Sequence, residues 1–206
     1  MTNKKVATSS TGRERILKSA ARLFGELGYD RTSIRKISLE SGMKAGSIYY
    51  FFKSKDELLL EVQARGFELM SKYVAEATTN VTDPWERLYR ACEAHLNGMF
   101  DNRTFIEVTV RELPDRHPGP SRRAMIRLRS KYEALFVRII EDLPLNGSVD
   151  HSDFRLTLLG SMAWTLVWYD PAGRHTPHEM ARKMVDLLRY QSCLLYTSDA
   201  ADDGLS

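Results

Sequence analysis

The sequence has little cysteine and no long hydrophobic run. Its two cysteines, Cys92 and Cys193, do not have the spacing of a metal or redox site. No apolar run approaches the roughly 18 residues that a membrane span requires. The polar N-terminus, MTNKKVATSSTG, lacks the apolar core of a signal peptide. These absences predict a cytoplasmic protein with no membrane partner and no metal.

Patterns of catalytic residues are missing as well. The sequence has no nucleophile elbow, no histidine and aspartate pair with usable spacing, and no glycine-rich phosphate loop. We therefore expect no enzymatic activity and no cofactor. An enzyme that acts on acyl thioesters is the competing class, and a thioesterase assay discriminates it. The histidines form no metal-ligand spacing: His95, His117, His151, His175 and His178.

Helical periodicity dominates what is present, and no alternating strand pattern or repeat accompanies it. The chain of 206 residues, 43% hydrophobic and 28% charged, is large enough for one or two globular domains. We predict an all-α fold, an N-terminal helix-turn-helix domain of three helices followed by a helical domain. The predicted helices span about residues 12–27, 33–41, 45–52, 55–77, 84–100, 104–113, 121–143, 152–169 and 177–190.

Four helix starts carry capping signals. Thr11 and Ser54 each stand three residues before a glutamate, which is the spacing of a capping box. Asp83 and Thr176 each precede a proline, which is favoured at the first position of a helix. We expect helices to begin directly after these four residues.

Positive charge is concentrated at the N-terminal end. Residues 1–56 hold 12 lysines and arginines against five acids, a net charge of +7, whereas the rest of the chain sums to −4. This asymmetry favours a polyanionic partner for the N-terminal end. The alternative is that these side chains only solvate helix surfaces.

Residues 32–55, TSIRKISLESGMKAGSIYYFFKSK, have the pattern of a helix-turn-helix. Two short helices are separated by a turn at Gly42, and Ile48 and Phe52 have the i, i+4 spacing of an inward face. The small, basic and hydroxylated residues of the second helix are then left for a DNA major groove.

Residues 12–60 resemble the N-terminal domain of the TetR family of bacterial transcription regulators. The resemblance rests on Gly28-Tyr29, Tyr49-Tyr50 and the run Ser54 to Leu58, in order and spacing. It implies a DNA-binding domain at residues 12–56, after a flexible basic arm at 1–11, and a ligand-binding and dimerisation domain at 57–192. Lys44 and Phe51 depart from the family pattern.

Roles at the DNA-binding end follow from side-chain chemistry. Thr32 is expected to cap its helix, with or without a phosphate contact, and Lys55 and Tyr50 to contact phosphate. Lys44 suits guanine, Ala45 a thymine methyl, and Gly46 a close backbone approach. Tyr49 either reads bases or packs inside. The expected DNA surface is Thr32, Ser33, Lys44, Ala45, Gly46, Ser47, Tyr49, Tyr50 and Lys55.

Residues 160–190 carry a second resemblance, to TetR-family regulators of lipid and sterol catabolism. It rests on Trp164 and on the run Trp168 to Arg174, followed by Thr176-Pro177. The resemblance implies an acyl-CoA thioester as small-molecule effector. Candidate ligand residues, each of which could belong to the core or to a solvated basic surface instead, are Tyr89, Met99, Phe100, Phe105, Arg123, Arg127, Tyr132, Trp164 and Trp168.

A homodimer is expected, because two recognition helices must address successive major grooves. Apolar residues of the last two predicted helices suit a four-helix interface, or they close the monomer core. These residues are Leu158, Met162, Leu166, Met180, Met184 and Leu187. The expected function is a repressor that a ligand releases from its operator, with an activator or a non-specific DNA-coating protein as alternatives.

The last residues look foreign to the rest of the chain. Residues 193–203, CLLYTSDAADD, are similar to the in-frame translation of a transposase adapter used in sequencing libraries. We therefore expect residues 193–206 to be a non-native tail that fits no preceding helix, with the natural chain interrupted near Ser192.

Overall fold

A computed structural model describes the backbone of residues 3–199 and the side chains of residues 12–190. The backbone over 3–199 contains helices and no strand, so the all-α prediction is confirmed. A short 3-10 helix, Pro114–Arg116, lies in the loop between the sixth and seventh α-helices. The α-helices are α1 (Asn3–Leu27), α2 (Ile34–Ser41), α3 (Ala45–Phe51), α4 (Lys55–Thr78), α5 (Pro84–Asp101), α6 (Arg103–Arg111), α7 (Pro120–Glu141), α8 (His151–Trp168) and α9 (Pro177–Asp199).

Three of the four capping predictions are confirmed by hydrogen bonds. Ser54 Oγ accepts from the backbone N–H of Glu57 at 3.0 Å. Asp83 Oδ1 accepts from the N–H of Glu86, and Thr176 Oγ1 accepts from the N–H of Glu179. Each bond satisfies an N–H group that the first turn of a helix leaves without an intrahelical partner.

The capping prediction at Thr11 is wrong. Helix α1 begins at Asn3, so Thr11 lies inside the helix rather than at its start. Most of the segment expected to be an arm, residues 1–11, is therefore helical in its backbone. A residue inside a helix has its neighbouring N–H groups bonded to preceding carbonyls and leaves nothing for a cap to satisfy.

Helix α9 is longer than predicted. Its backbone continues to Asp199, past the expected end near Tyr190, so the statement that residues 193–203 fit no preceding helix is wrong for 193–199. Residues 200–206, and the side chains from 191 onward, lie outside the described residues. The origin of the tail remains a prediction that the fold does not test.

The chain forms two compact units whose division differs from the predicted boundary after residue 56. The first unit comprises Met1–Leu69 and Asn102–Ser130. Its core joins the helix-turn-helix to α6 and to the start of α7, because Phe105, Val108 and Met125 pack with the residues of α1 to α4. The core residues from the N-terminal end are Ile16, Leu17, Ala20, Ala21, Leu23, Phe24, Ile37, Ile48, Phe52, Leu58, Leu59 and Val62.

The second unit comprises Met70–Asp101 and Lys131–Ser206. Helix α5 is central to it, because residues on several faces of this helix are buried. In the described part of the chain no helix is long and apolar enough to cross a membrane. Buried apolar residues of this unit include Leu88, Cys92, Leu96, Met99, Phe136, Ile140, Phe154, Leu158, Met162, Met180 and Val185.

Candidate DNA-binding surface

The turn between α2 and α3 requires glycine. Gly42 has a φ of 63°, in the left-handed region, and its N–H donates to the Leu39 carbonyl. A Cβ at this position would lie 2.9 Å from Nη2 of Arg15, whose guanidinium donates to the Ser41 carbonyl. Glycine alone avoids both the strained backbone and this contact. The helix-turn-helix prediction is confirmed.

The predicted roles of Thr32 are wrong. The cap of α2 is Ser33, whose Oγ accepts from the N–H of Lys36 at 3.2 Å. Thr32 is only 1% exposed, and its hydroxyl donates to the carbonyls of Leu23 and Gly28. A hydroxyl that is buried in this way ties the α1–α2 turn to the end of α1 and cannot reach a phosphate.

Helix α3 presents one buried and one exposed face. Ile48 and the following Phe52 are buried in the core, as their spacing predicts. Tyr50 is 81% exposed and Tyr49 is 56% exposed, so the alternative in which Tyr49 packs inside is wrong. Gly46 faces open space, with no atom within 4 Å of an added Cβ.

The other candidate reading residues lie around this exposed face. Lys44, Ala45 and Gly46 are exposed, and Ser47 is partly exposed. The residue that precedes α3, Lys44, makes no side-chain capping bond. A cation, a methyl group and a hydroxyl are therefore available along one short helix, which are groups that can reach base edges in a major groove.

Lys55 is partly exposed, and its ammonium is bonded within the first unit. Its Nζ donates to the carbonyls of Tyr29 and Thr32, both at 3.0 Å. The same ammonium lies 3.9 Å from the centre of the Tyr29 ring, a cation–π contact. In this structure the charge of Lys55 holds the turn that precedes α2, and a contact between Lys55 and phosphate stays a prediction.

Tyr29 is itself held from several sides within the first unit. Its hydroxyl donates to Asp56 Oδ1 at 2.6 Å, and its N–H donates to Glu112 Oε1 at 2.9 Å. Burial and the carboxylate of Asp56 raise the pKa of Tyr29. The edge of its ring meets the His117 ring at 4.8 Å. We name Tyr29, Lys55, Glu112 and His117 the turn cluster.

Several basic side chains counted at the N-terminal end are paired with acids. Arg22 bonds Glu26 and Glu40, and Glu40 with Glu26 raises its pKa. Arg13 pairs with Glu61 at 2.5 Å. Lys53, by contrast, is exposed beside the end of α3 and its side chain is in no ion pair among the described residues. The sequence-based predictions omitted Lys53, although its position between α3 and the capping residue Ser54 could have indicated it.

Two family comparisons cover most of the chain. The family described as bacterial regulatory proteins, tetR family, matches residues 16–62, and the family described as tetracyclin repressor-like, C-terminal domain, matches residues 81–191. The chain belongs to the TetR family. TetR regulators are DNA-binding transcription regulators.

Individual relatives agree with the family. The uncharacterized HTH-type transcriptional regulator YxaF of Bacillus subtilis is 30% identical over 73% of this TetR chain and 80% of its own length. The transcriptional repressor KstR2 of Rhodococcus jostii is 26% identical over 85% and 88%. The structure of AibR in complex with isovaleryl coenzyme A and operator DNA superposes with a TM-score of 0.71 at 24% identity, over 85% of this chain and 97% of that one.

The residues expected to bind the effector of this TetR regulator are divided between the two units. Phe105 is buried in the core of the first unit, and Arg123 and Arg127 are exposed on α7 in that unit. In the second unit, Trp164 and Trp168 lie exposed on α8, 64% and 48% respectively. These five residues therefore do not line a buried pocket of the second unit.

The remaining four candidates lie in the second unit. Met99 is buried in its core, and Phe100 stacks on the ring of Tyr169 at 3.9 Å. Tyr89 is buried, donates from its hydroxyl to Asp186, and lies under the guanidinium of Arg182. Tyr132 is buried beside His95. An open groove of about 270 Å³ in this unit is lined instead by Val74, Ala75, Thr78, Thr79, Arg87, Leu135, Arg138, Ile139 and Asp142.

Proposed function

We propose that this chain is a dimeric repressor that reads an operator through α3 and leaves it when an acyl-CoA thioester binds. The observation that carries the proposal is the exposed face of α3, with Tyr49 and Tyr50 facing outward while Ile48 is buried. The Tyr50 ring touches Phe51, but most of the surface of both tyrosines stays accessible to a partner. They are suited to contacts with phosphates and base edges.

The dimer is supported by an exposed apolar stripe on α8. Leu156, Trp164 and Trp168 recur at multiples of four residues and are all exposed, and Leu187 on α9 is 68% exposed. Several large apolar side chains exposed on one helix suit an interaction surface. It differs from the interface expected from sequence, because Leu158, Met162, Leu166 and Met180 are buried in the monomer.

The effector class rests on relatives. AibR is described in complex with isovaleryl coenzyme A, and the resemblance of residues 160–190 to regulators of lipid and sterol catabolism points the same way. The buried aromatic residues of the second unit offer an apolar environment for an acyl group. Isovaleryl coenzyme A is therefore the first effector to test.

The test is a fluorescence-anisotropy titration of a palindromic duplex from the promoter region of the chain's own gene. We expect tight binding to this duplex, at least ~10³-fold weaker binding to random DNA, and release by isovaleryl coenzyme A. Equal affinity for both duplexes would indicate a non-specific DNA-coating protein. If no acyl-CoA releases the duplex, the proposed effector class is wrong and the DNA-binding function stands. In a transcription assay, higher output from the bound promoter would indicate an activator.

A further inference from the structure

The second unit contains a buried polar pair in otherwise apolar surroundings. His95 on α5 and Tyr132 on α7 are 6% and 5% exposed, and Nδ1 of His95 lies 2.6 Å from the Tyr132 hydroxyl. The rings of His95 and Phe136 are nearly perpendicular, with their centroids 5.6 Å apart. The pair therefore lies among buried aromatic side chains.

The second nitrogen of the imidazole has no hydrogen-bond partner within the part of the chain that the structure describes. Among the described side chains, Nε2 of His95 is the one buried nitrogen or oxygen that lacks a hydrogen-bond partner. Buried polar groups nearly always have a partner, since losing water without compensation costs free energy. The bond between Nδ1 and the Tyr132 hydroxyl accounts for one nitrogen of the ring, and packing within the unit leaves Nε2 unexplained.

The direction of the hydrogen bond between His95 and Tyr132 determines whether Nε2 is a donor or an acceptor. Burial lowers the pKa of His95 to about 3, so the ring is neutral and carries one proton. A phenol O–H is a stronger donor than a neutral imidazole N–H, and an imidazole nitrogen is a stronger acceptor than a phenol oxygen. Tyr132 therefore donates to Nδ1, and Nε2 bears the hydrogen.

We propose that Nε2–H of His95 is the recognition point for a carbonyl oxygen of the effector, which positions an uncharged, largely apolar group in this unit. A carboxylate does not suit the site, because a neutral donor cannot offset the burial of a full charge. A ketone, ester or thioester carbonyl does. The assignment rests on the proposal that this unit binds an effector, and it adds the residue that distinguishes an acyl carbonyl from a plain hydrocarbon.

Two small probes of the same shape test the assignment directly. Cyclohexanone and methylenecyclohexane differ in one group, an oxygen acceptor against a methylene. The full chain, labelled with ¹⁵N at histidine, is titrated with each probe and followed through the imidazole resonances. We expect cyclohexanone to shift the Nε2 resonance of His95 and methylenecyclohexane to leave it in place.

Variants give the energetic counterpart. In His95→Phe we expect cyclohexanone to bind about tenfold more weakly relative to methylenecyclohexane than it does in the wild type. This factor is the loss of one hydrogen bond. The exposed His151→Phe should keep the wild-type ratio. An unchanged Nε2 resonance, or no binding of either probe, overturns the assignment even if His95→Phe does not fold. These measurements use neither operator nor coenzyme A, so their failure is separable from a failure of the proposed function.

Discussion

The carboxylate of Glu112 accepts a hydrogen bond from the backbone N–H of Tyr29, although the two residues are 83 positions apart in the chain. The other carboxylate oxygen lies 3.1 Å from Nε2 of His117, and both Glu112 and His117 are buried. The Nε2 amide of Gln63 donates to the Glu112 carbonyl. The end of α6 thus holds the turn that precedes α2 within the first unit.

Removing this carboxylate should destabilise the fold. Glu112→Ala leaves the Tyr29 N–H and the His117 ring without their acceptor, which we expect to lower the free energy of unfolding by about 2 kcal/mol. Urea denaturation measures the change. Glu107→Ala, in the exposed pair with Arg103 on the same helix, is the matched control and should cost under about 0.5 kcal/mol. Similar losses in the two variants would contradict the role of the turn cluster.

Lys53 precedes α4 and Lys55 is its first residue. The two lysines should contribute differently to the salt dependence of operator binding. Lys53→Ala removes an exposed cation beside α3 and should flatten the slope of log affinity against log salt by about 0.9. Lys55→Ala removes a cation already bonded to Tyr29 and Thr32 carbonyls, so it should weaken operator binding through the turn and leave that slope unchanged. Anisotropy titrations at several salt concentrations separate the two effects. A flatter slope in Lys55→Ala would support the contact between Lys55 and phosphate that the sequence predicts.

Gly46 offers a test of close approach by DNA. An added Cβ meets no protein atom within 4 Å, and alanine in a helix is favoured over glycine by up to about 1 kcal/mol. We expect Gly46→Ala to be as stable as the wild type or more so in thermal unfolding, yet to bind the operator more weakly. Unchanged operator affinity would show that DNA does not approach the backbone at this position.

The exposed stripe on α8 predicts the oligomeric state. Trp164→Glu should shift the protein from dimer to monomer in analytical ultracentrifugation, because it places a charge in an apolar interface. Ile126→Glu, at a partly exposed apolar position of α7, is the control and should leave a dimer. A dimer in both variants would exclude this stripe as the interface.

Acid should destabilise the second unit through His95. Its pKa is lowered by burial from 6.5 to about 3, so between these values the unfolded chain binds a proton that the folded chain does not. Stability should therefore fall as the pH drops below 6.5, by up to about 1.4 kcal/mol per pH unit from this residue. Denaturation of wild type and His95→Phe at pH 7 and pH 5 measures it. Equal pH dependence in the two proteins would mean that the imidazole is already accessible to protons.

The sequence by itself determined the local structure of the helix-turn-helix and of several helix starts. Caps at Ser54 and Asp83, the turn at Gly42, and the spacing of Ile48 and Phe52 act over a few residues, so a periodic pattern and side-chain chemistry are enough to find them. The same local signals placed most helices within a few residues of their bounds. They failed at Thr11, where a capping box lies inside a longer helix.

Tertiary structure alone decided which functional groups remain available. Thr32 and Lys55 donate hydrogen bonds to backbone carbonyls at the end of α1 and in the α1–α2 turn. On α8, the Trp164 side chain is exposed whereas Met162 is buried. Only the packing of distant helices brings Glu112 to Tyr29 and leaves Nε2 of His95 without a partner among the described side chains. Periodicity fixes which residues share a face of a helix, but the partner that covers the face comes from elsewhere in the chain, and that partner sets exposure, hydrogen bonding and pKa.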